Sequence, residues 1–304
     1  DYNIKSNGVI VNNSAQIGVS ELGGALYSNP HFTQGSGADI VLFQVTGTDI
    51  SQLNGYQEMF GQAAEFILAN PNGISVNGGG FINTPRVTLS TGISHLNNDS
   101  IYLDVSRGMV SLHGDGLNAT NVDHFDIVAR RIQLNAALYG GNALRLISGP
   151  VRLNYDTSEF SLHDSYLQNT VDVGIDSSDL GGMTAGRIYL ISTEDGVGVH
   201  TRASVVANLD NIIIESNGDV HYDDIYAKKD IDIHASGTIH QSQSAVAGET
   251  LSYTSAEDIH IKGDHLYSEG SISLEAKGTI DLDRDRLSDS DDSAFVYSDS
   301  IHVD

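Results

Sequence analysis

Gly218-Asp-Val-His-Tyr222, Gly237-Thr-Ile-His-Gln241, Glu257-Asp-Ile-His-Ile261, Gly278-Thr-Ile-Asp-Leu282 and Asp299-Ser-Ile-His-Val303 share one register, and their starts lie 19, 20, 21 and 21 residues apart. A period near 20 means that the chain climbs one turn of a solenoid per repeat. Six residues before the starts stand Ile212, Ile231, Leu251, Ile272 and Ser293; four before them stand Ile214, Ile233, Tyr253, Leu274 and Phe295. These positions alternate with polar ones, as in Asp230-Ile-Asp-Ile-His234, and period two is the signature of a strand. A third column, Ile225, Ala245, Leu266 and Leu287, lies six residues earlier again. Three short strands per turn make a roughly triangular coil, in which like residues stack about 4.8 Å apart. Apolar runs at i, i+3 and i+4, which a helical solenoid requires, do not occur in these segments. The fold class expected is all-β: a single-stranded, right-handed parallel β-helix, with extra-helical hairpins in the first half.

The composition agrees. Among 304 residues there are 32 glycines, which suit tight corners. All four prolines (Pro30, Pro71, Pro85 and Pro150) fall in the first half, outside the regular repeats whose backbone N–H groups must bond the next coil. There is no cysteine, so no disulfide braces the chain. Fifteen Lys and Arg stand against 40 Asp and Glu, a formal charge of −25 that argues against nucleic acid or anionic lipid as partner. No apolar run is long enough to span a bilayer as a helix, so stable membrane insertion is not expected. Asp1 opens in strand-like sequence and Asp304 ends at a repeat, which reads as part of a longer protein.

Toward the N-terminus the strands alternate well but the period wanders. Candidates are Ile4 to Val11, Ile40 to Val45, Glu65 to Ala69, Val87 to Leu89, Ile101 to Val105, Met109 to His113, Ile127 to Gln133 and Leu144 to Ile147. Gln57 to Phe66 holds Glu, Met, Gln and Ala and could form a helical turn or two. Asn70-Pro-Asn-Gly73 reads as a turn between two strands. Pro71 pre-sets φ at its second position, Asn70 accepts a hydrogen bond from two residues on, and Gly73 adopts the φ of the exit.

Ile67-Leu-Ala-Asn-Pro-Asn-Gly-Ile74, followed by Gly78-Gly-Gly-Phe-Ile-Asn83 and Arg86-Val-Thr-Leu-Ser-Thr-Gly92, resembles the secretion domain of two-partner secretion exoproteins: filamentous haemagglutinins, large haemolysins and contact-dependent inhibition proteins. Asn7-Gly-Val-Ile-Val-Asn-Asn-Ser14, Ala38 to Gly47, Ser51 to Tyr56 and Ala129 to Tyr139 extend the likeness over roughly residues 1–190. The resemblance implies a β-helix exported across the outer membrane of a Gram-negative bacterium by a barrel transporter. That transporter's periplasmic domains would recognise this region, which then leads a long extracellular fibre. It implies a secretion domain at 1–190 with an incomplete N-terminal cap, then β-helical repeats over 191–304, in a monomer. The family's first Asn-Pro-Asn-Leu motif stands here as Asn29-Pro-His-Phe32, departing at its third residue. A cysteine pair found in many relatives is replaced by Val76 and Gly79.

Asn70, Pro71, Asn72 and Gly73, with Asn29 and Pro30, are therefore the candidate site: a transporter contact or a turn that shapes the fold, the latter favoured by turn chemistry. His221, His240, His260 and His302 form an outward column interrupted by Asp281. It reads as a solvated ladder rather than a metal stripe or a pH-sensitive face, because a flat ladder diverges where zinc needs converging ligands, although protonating stacked histidines would set like charges against each other below about pH 6.5. Asp281 to Asp292 is dense in carboxylates but matches no Ca²⁺-loop spacing, and reads as a solvated loop. No phosphate loop, nucleophile–base spacing or metal motif appears, so no cofactor and no catalytic residue is expected. A carbohydrate-active β-helix with paired carboxylates and a directly adhesive acidic face are the alternative functions.

Overall fold

The computed structural model describes residues 1–32, 37–98, 100–162, 172–263, 265–282, 296–297 and 300–303. Every regular element among them is a strand. Each regular coil has three: Ile212–Ser216, Val220–Tyr222 and Ile225–Ala227, then Ile231–Ala235, Ile239–Gln241 and Ser244–Ala247. Successive coils pair parallel and in register, with Ile212 on Ile231, Val220 on Ile239 and Ile225 on Ala245. The first strands of the coils form an eleven-stranded sheet from Ile40–Gln44 to Ser300–Val303, hence about eleven turns. The second strands form a ten-stranded sheet, and the third an eight-stranded one that begins at Leu117–Ala119. Three further parallel strands, Val9–Asn13, Gln57–Gly61 and Phe81–Ile82, continue that third face toward the N-terminus through a Gly80–Asn118 bridge.

Alternation decides what enters the core. In Ile231–Ala235 the side chains of Ile231 and Ile233 are buried, while Asp232 and His234 face out. One continuous apolar core runs from Ile4 to Leu274 along the solenoid axis. At its N-terminal end an aromatic file of Tyr2, Phe43, Phe66, Phe81 and Phe125 has ring centroids 4.5, 5.8, 5.7 and 6.0 Å apart.

The wandering period has a structural cause. Two insertions leave the solenoid between first-sheet and second-sheet strands. Ile93–Asn97 with Ser100–Val105, and Val151–Asn154 with Phe160–Leu162, join as a four-stranded antiparallel sheet. That sheet covers the outer face of the long sheet. Ile67, Ala69, Val128 and Ile147 meet Leu103, Val105, Val151 and Leu153 in a second apolar layer. Strands buried on both faces read as continuous apolar runs, as Phe66-Ile-Leu-Ala69 does. A separate hairpin, Gly18–Ser20 with Gly24–Leu26, projects from the first coils. Hairpins of this kind in the first half were expected.

Three local expectations are corrected. Gln57 to Phe66 is not helical but two strands, Gln57–Gly61 and Glu65–Ala69, because packing on the core overrides helix propensity. Ile127 to Gln133 divides into His124–Ala129 and Arg131–Leu134 at a solenoid corner, where alternation continues because both sheets face one core. Ser300–Val303 belongs to the long sheet, where His302 pairs with Ser273, so His302 is not part of the histidine column. From Ser271 to its partner Ser300 the chain advances 29 residues rather than 21. Alternation alone cannot say which of three sheets a strand joins. Most of the Asp281 to Asp292 stretch, along with Leu287, Ser293 and Phe295, lies outside the described residues.

Phe125 is fully buried within the aromatic file. Phe125→Ala is expected to lower unfolding free energy by about 3–5 kcal/mol through lost burial and a cavity. Urea denaturation of the two proteins measures this.

Candidate functional site

Asn70-Pro-Asn-Gly73 makes the corner between Glu65–Ala69 of the long sheet and Ile74–Val76 of the second sheet. Asn70 is fully buried, and its backbone N–H donates to Ser90 O of the next coil at 2.9 Å. Its Nδ2 donates backward to Asp49 O and Ser51 Oγ, both at 3.0 Å. Its Oδ1 accepts from the Asn72 N–H at 3.0 Å, and its carbonyl from the Gly73 N–H at 3.1 Å. Asn72 Nδ2 donates to Gly47 O at 2.8 Å. One residue thus ties three successive coils, its side chain bonding the coil before and its backbone N–H the coil after. Gly73 has φ 129°, and a Cβ there would stand 3.0 Å from Met109 O. An L side chain would be strained on both counts.

Asn29-Pro-His-Phe32 repeats the device. Asn29 Oδ1 accepts from the His31 N–H at 3.0 Å, and its carbonyl from the Phe32 N–H at 3.1 Å. Its Nδ2 donates to Asn12 O at 2.8 Å. The third residue contributes a backbone donor to the turn, so His31 in place of asparagine preserves it. The setting differs. Asn29 is only half-buried and Pro30 is exposed, and the Asn29 N–H to Ser14 O bond (2.7 Å) closes the neck of the projecting hairpin. The two turns lie on different faces of the solenoid, and no contact between them is found among the described residues.

Two polar assemblies escaped the sequence reading. Glu58 is buried, with no basic partner among the described residues. It accepts from Ser20 Oγ (2.6 Å) and from the backbone N–H groups of Glu21 and Leu22 (2.9 Å each), latching the hairpin tip to the solenoid. Burial acts to raise its pKa, but the bonds from Ser20, Leu22 and Glu21 outweigh that and hold it below the ordinary value. Under the covering sheet, Asp126 is clamped by Arg86 (3.1 Å) and Arg145 (3.0 Å). Arg86 also stacks 3.9 Å over the Tyr155 ring, whose hydroxyl donates to Glu65 at 2.6 Å. Burial first, and the Glu65 bond second, push the Tyr155 phenol upward. The interruption of Phe125-Asp-Ile-Val128 by one carboxylate was the available signal. A groove of about 990 Å³ runs beside this network, lined by Arg145, Phe160, Arg187 and Tyr189. Both oxygens of the Asp126 carboxylate are thus engaged by guanidinium groups.

The histidine column consists of His200, His221, His240 and His260 in register. His200, in Gly198–Thr201, stands 21 residues before His221, so its place was legible and was missed. His221 and His240 stack at 4.2 Å with 12° between planes, and His240 and His260 at 5.1 Å with 27°. Stacked rings aim their nitrogens side by side rather than at one point, and no metal-holding group of three is found among the described residues.

A parallel β-solenoid with an antiparallel cover and asparagine-proline corners defines a secretion-domain architecture. The crystal structure of a filamentous hemagglutinin secretion domain superposes with a TM-score of 0.77 at 29% identity, covering 91% of this chain and 87% of that one. The chain belongs to the TPS secretion domain family, whose model matches residues 1–222. It is 35% identical over 287 residues to the 16S rRNA endonuclease CdiA of Enterobacter cloacae, covering 93% of this chain and 8% of that protein. It is 39% identical over 221 residues to a tRNA nuclease CdiA of Escherichia coli strain STEC_O31, covering 72% of this chain and 7% of that protein. The chain therefore spans under a tenth of the length of these relatives.

Asn70→Ala, which removes the bonds to Asp49 O and Ser51 Oγ of the preceding coil and to the Asn72 N–H of the turn, is expected to cost at least about 2 kcal/mol by denaturant unfolding. Acid should act on the hairpin latch. Because Glu58 titrates lower when folded than when unfolded, its contribution is complete above the unfolded value of about 4.3 and is lost as pH falls through the folded value. Exchange of the Glu21 and Leu22 amides, corrected for intrinsic rates, should rise over that interval.

Proposed function

We propose that this chain is the non-enzymatic export signal of a large exoprotein, recognised by a barrel transporter in the outer membrane of a Gram-negative bacterium. The family match over residues 1–222 carries this reading. The exoprotein crosses the periplasm, the secretion domain at about 1–190 engages periplasmic domains of the transporter, and the coils from about 191 onward begin an extracellular stalk. The relatives' names, endonuclease and tRNA nuclease, describe proteins more than ten times longer, so toxin delivery is the activity proposed for the whole protein and not for this part. In this scheme the secretion domain acts as a monomer.

Within it, Asn70, Pro71, Asn72 and Gly73 act as a fold-critical corner. Support comes from the burial of Asn70 and its bonds to Asp49, Ser51 and Ser90. Asn29 and Pro30, at an exposed turn that closes the hairpin neck, are better placed to meet the transporter directly.

The test compares Asn70→Ala with Pro30→Ala in an export assay alongside stability of the purified domain. The expected result is that Asn70→Ala reduces both export and stability, while Pro30→Ala reduces export and binding to the isolated periplasmic domains with stability retained. Wild-type export by both variants would overturn the assignment of either turn.

A further inference from the structure

On the outer face of the second sheet, six register-matched positions read Asp176, His200, His221, His240, His260 and Asp281. Four imidazoles are thus stacked in a file with a carboxylate at each end. His200 Nδ1 lies 3.8 Å from Asp176, and His260 Nδ1 lies 3.7 Å from Asp281. The two inner rings, His221 and His240, have an imidazole on both sides. The register is fixed by the parallel ladder, so the four Cβ atoms are held in file by the backbone bonds between coils.

We propose that this file is a pH-sensitive element that loosens the coils between Gly198 and Ile261 in mild acid while leaving the covered N-terminal coils unaffected. The charged groups around it are few. Asp176 is shared with Arg202 at 3.7 Å, Asp219 lies beside His221 and His240, Lys262 lies near His240, and Asp281 closes the file. No described strand packs over this face; the covering sheet lies on the long sheet instead.

Like charges held 4.2 Å apart repel strongly, and partial burial removes the water that would screen them. Burial, then the neighbouring imidazoles, accordingly lower the pKa of both His221 and His240, with Asp219 opposing. Once the coils open, the rings separate and accept protons near the ordinary value of about 6.5. The sign follows. A group with a lowered folded pKa contributes its full stability above about pH 6.5 and loses it as pH falls toward the folded midpoint. Each unit of lowering is a tenfold gain in opening. Coils contact only their neighbours, so the loosening stays local.

Native-state hydrogen exchange at pH 7.5 and 5.5, corrected for intrinsic rates, reads this segment by segment. In the intact chain, protection at Val220–Tyr222 and Ile239–Gln241 should fall at least about tenfold at the lower pH, with His124–Ala129 unchanged. The double variant His221→Gln/His240→Gln should keep its protection at pH 7.5 and lose the acid response. His240→Gln alone should lose about half of it on a logarithmic scale. His234→Gln, a histidine on the long sheet outside the file, should respond like the parent. No acid response in the parent, the same response in the double variant, or an equal fall in the covered coils would overturn the proposal.

Discussion

Parallel in-register pairing between successive coils is the constraint on which everything else rests. Along the strands of a coil, backbone N–H and C=O groups are met by the coil before and the coil after, and bonds within a coil occur at its corners, as from Gly73 N–H to Asn70 O. Inward side chains must therefore stack on equivalents: Ile212, Ile231, Leu251 and Ile272 on one face, and Val220, Ile239, Ile259 and Ile280 on another. The same rule excludes proline from the regular ladder, and it sets like outward side chains side by side whether or not they suit one another.

Corners are where that rule is hardest to satisfy, since the chain must turn while its polar groups stay buried. Asn70 meets the difficulty with one amide. Its two ends reach back to Asp49 and Ser51 and forward within the turn, while its backbone bonds Ser90. Elsewhere serine does this work: Ser255 Oγ donates to Gly237 O and accepts from the Glu257 N–H. Asparagine followed by proline is the stronger solution, because its side chain both donates and accepts and the next φ is already fixed. The same chemistry at Asn29 serves another purpose, closing the neck of an excursion whose tip is held by Glu58.

The regular coils were legible because a repeat encodes its own register: the columns through Ile231, Ile239 and Ile225 are the three sheets. Legibility failed where period and sheet became separable. Ser300-Ile-His-Val303 has the right alternation for any face, and only its distance from Ser271 assigns it to the long sheet. The antiparallel cover left only a trace, in strands apolar on both sides. The site residues were readable as turn chemistry at Asn70 and Asn29. The partners of those amides were not, because Asp49, Ser51 and Asn12 lie 17 to 21 residues away, at a spacing set by coil geometry. The partners of Glu58 and Asp126 were hidden for a related reason, although Asp126 itself shows as the one carboxylate in an apolar run. A buried carboxylate is recognised by what surrounds it: Glu58 is met by the projecting hairpin, and Asp126 by Arg86 and Arg145 of the coils on either side.

The two parts of the solenoid handle the outer face of the long sheet in opposite ways. Where the cover lies, outward positions are apolar, as at Ile67, Val128 and Ile147, and the interruptions are braced by Arg86 and Arg145. Past it, equivalent positions turn polar: Asp232, Ser252 and Ser273 in one column, Glu215, His234, Thr254 and Glu275 in another. A doubly buried sheet with charge clamps resists local opening, because each coil is held by the layer above it as well as by its neighbours. A bare coil has only its neighbours. The covered part is thus held more firmly against local opening than the bare coils that follow it.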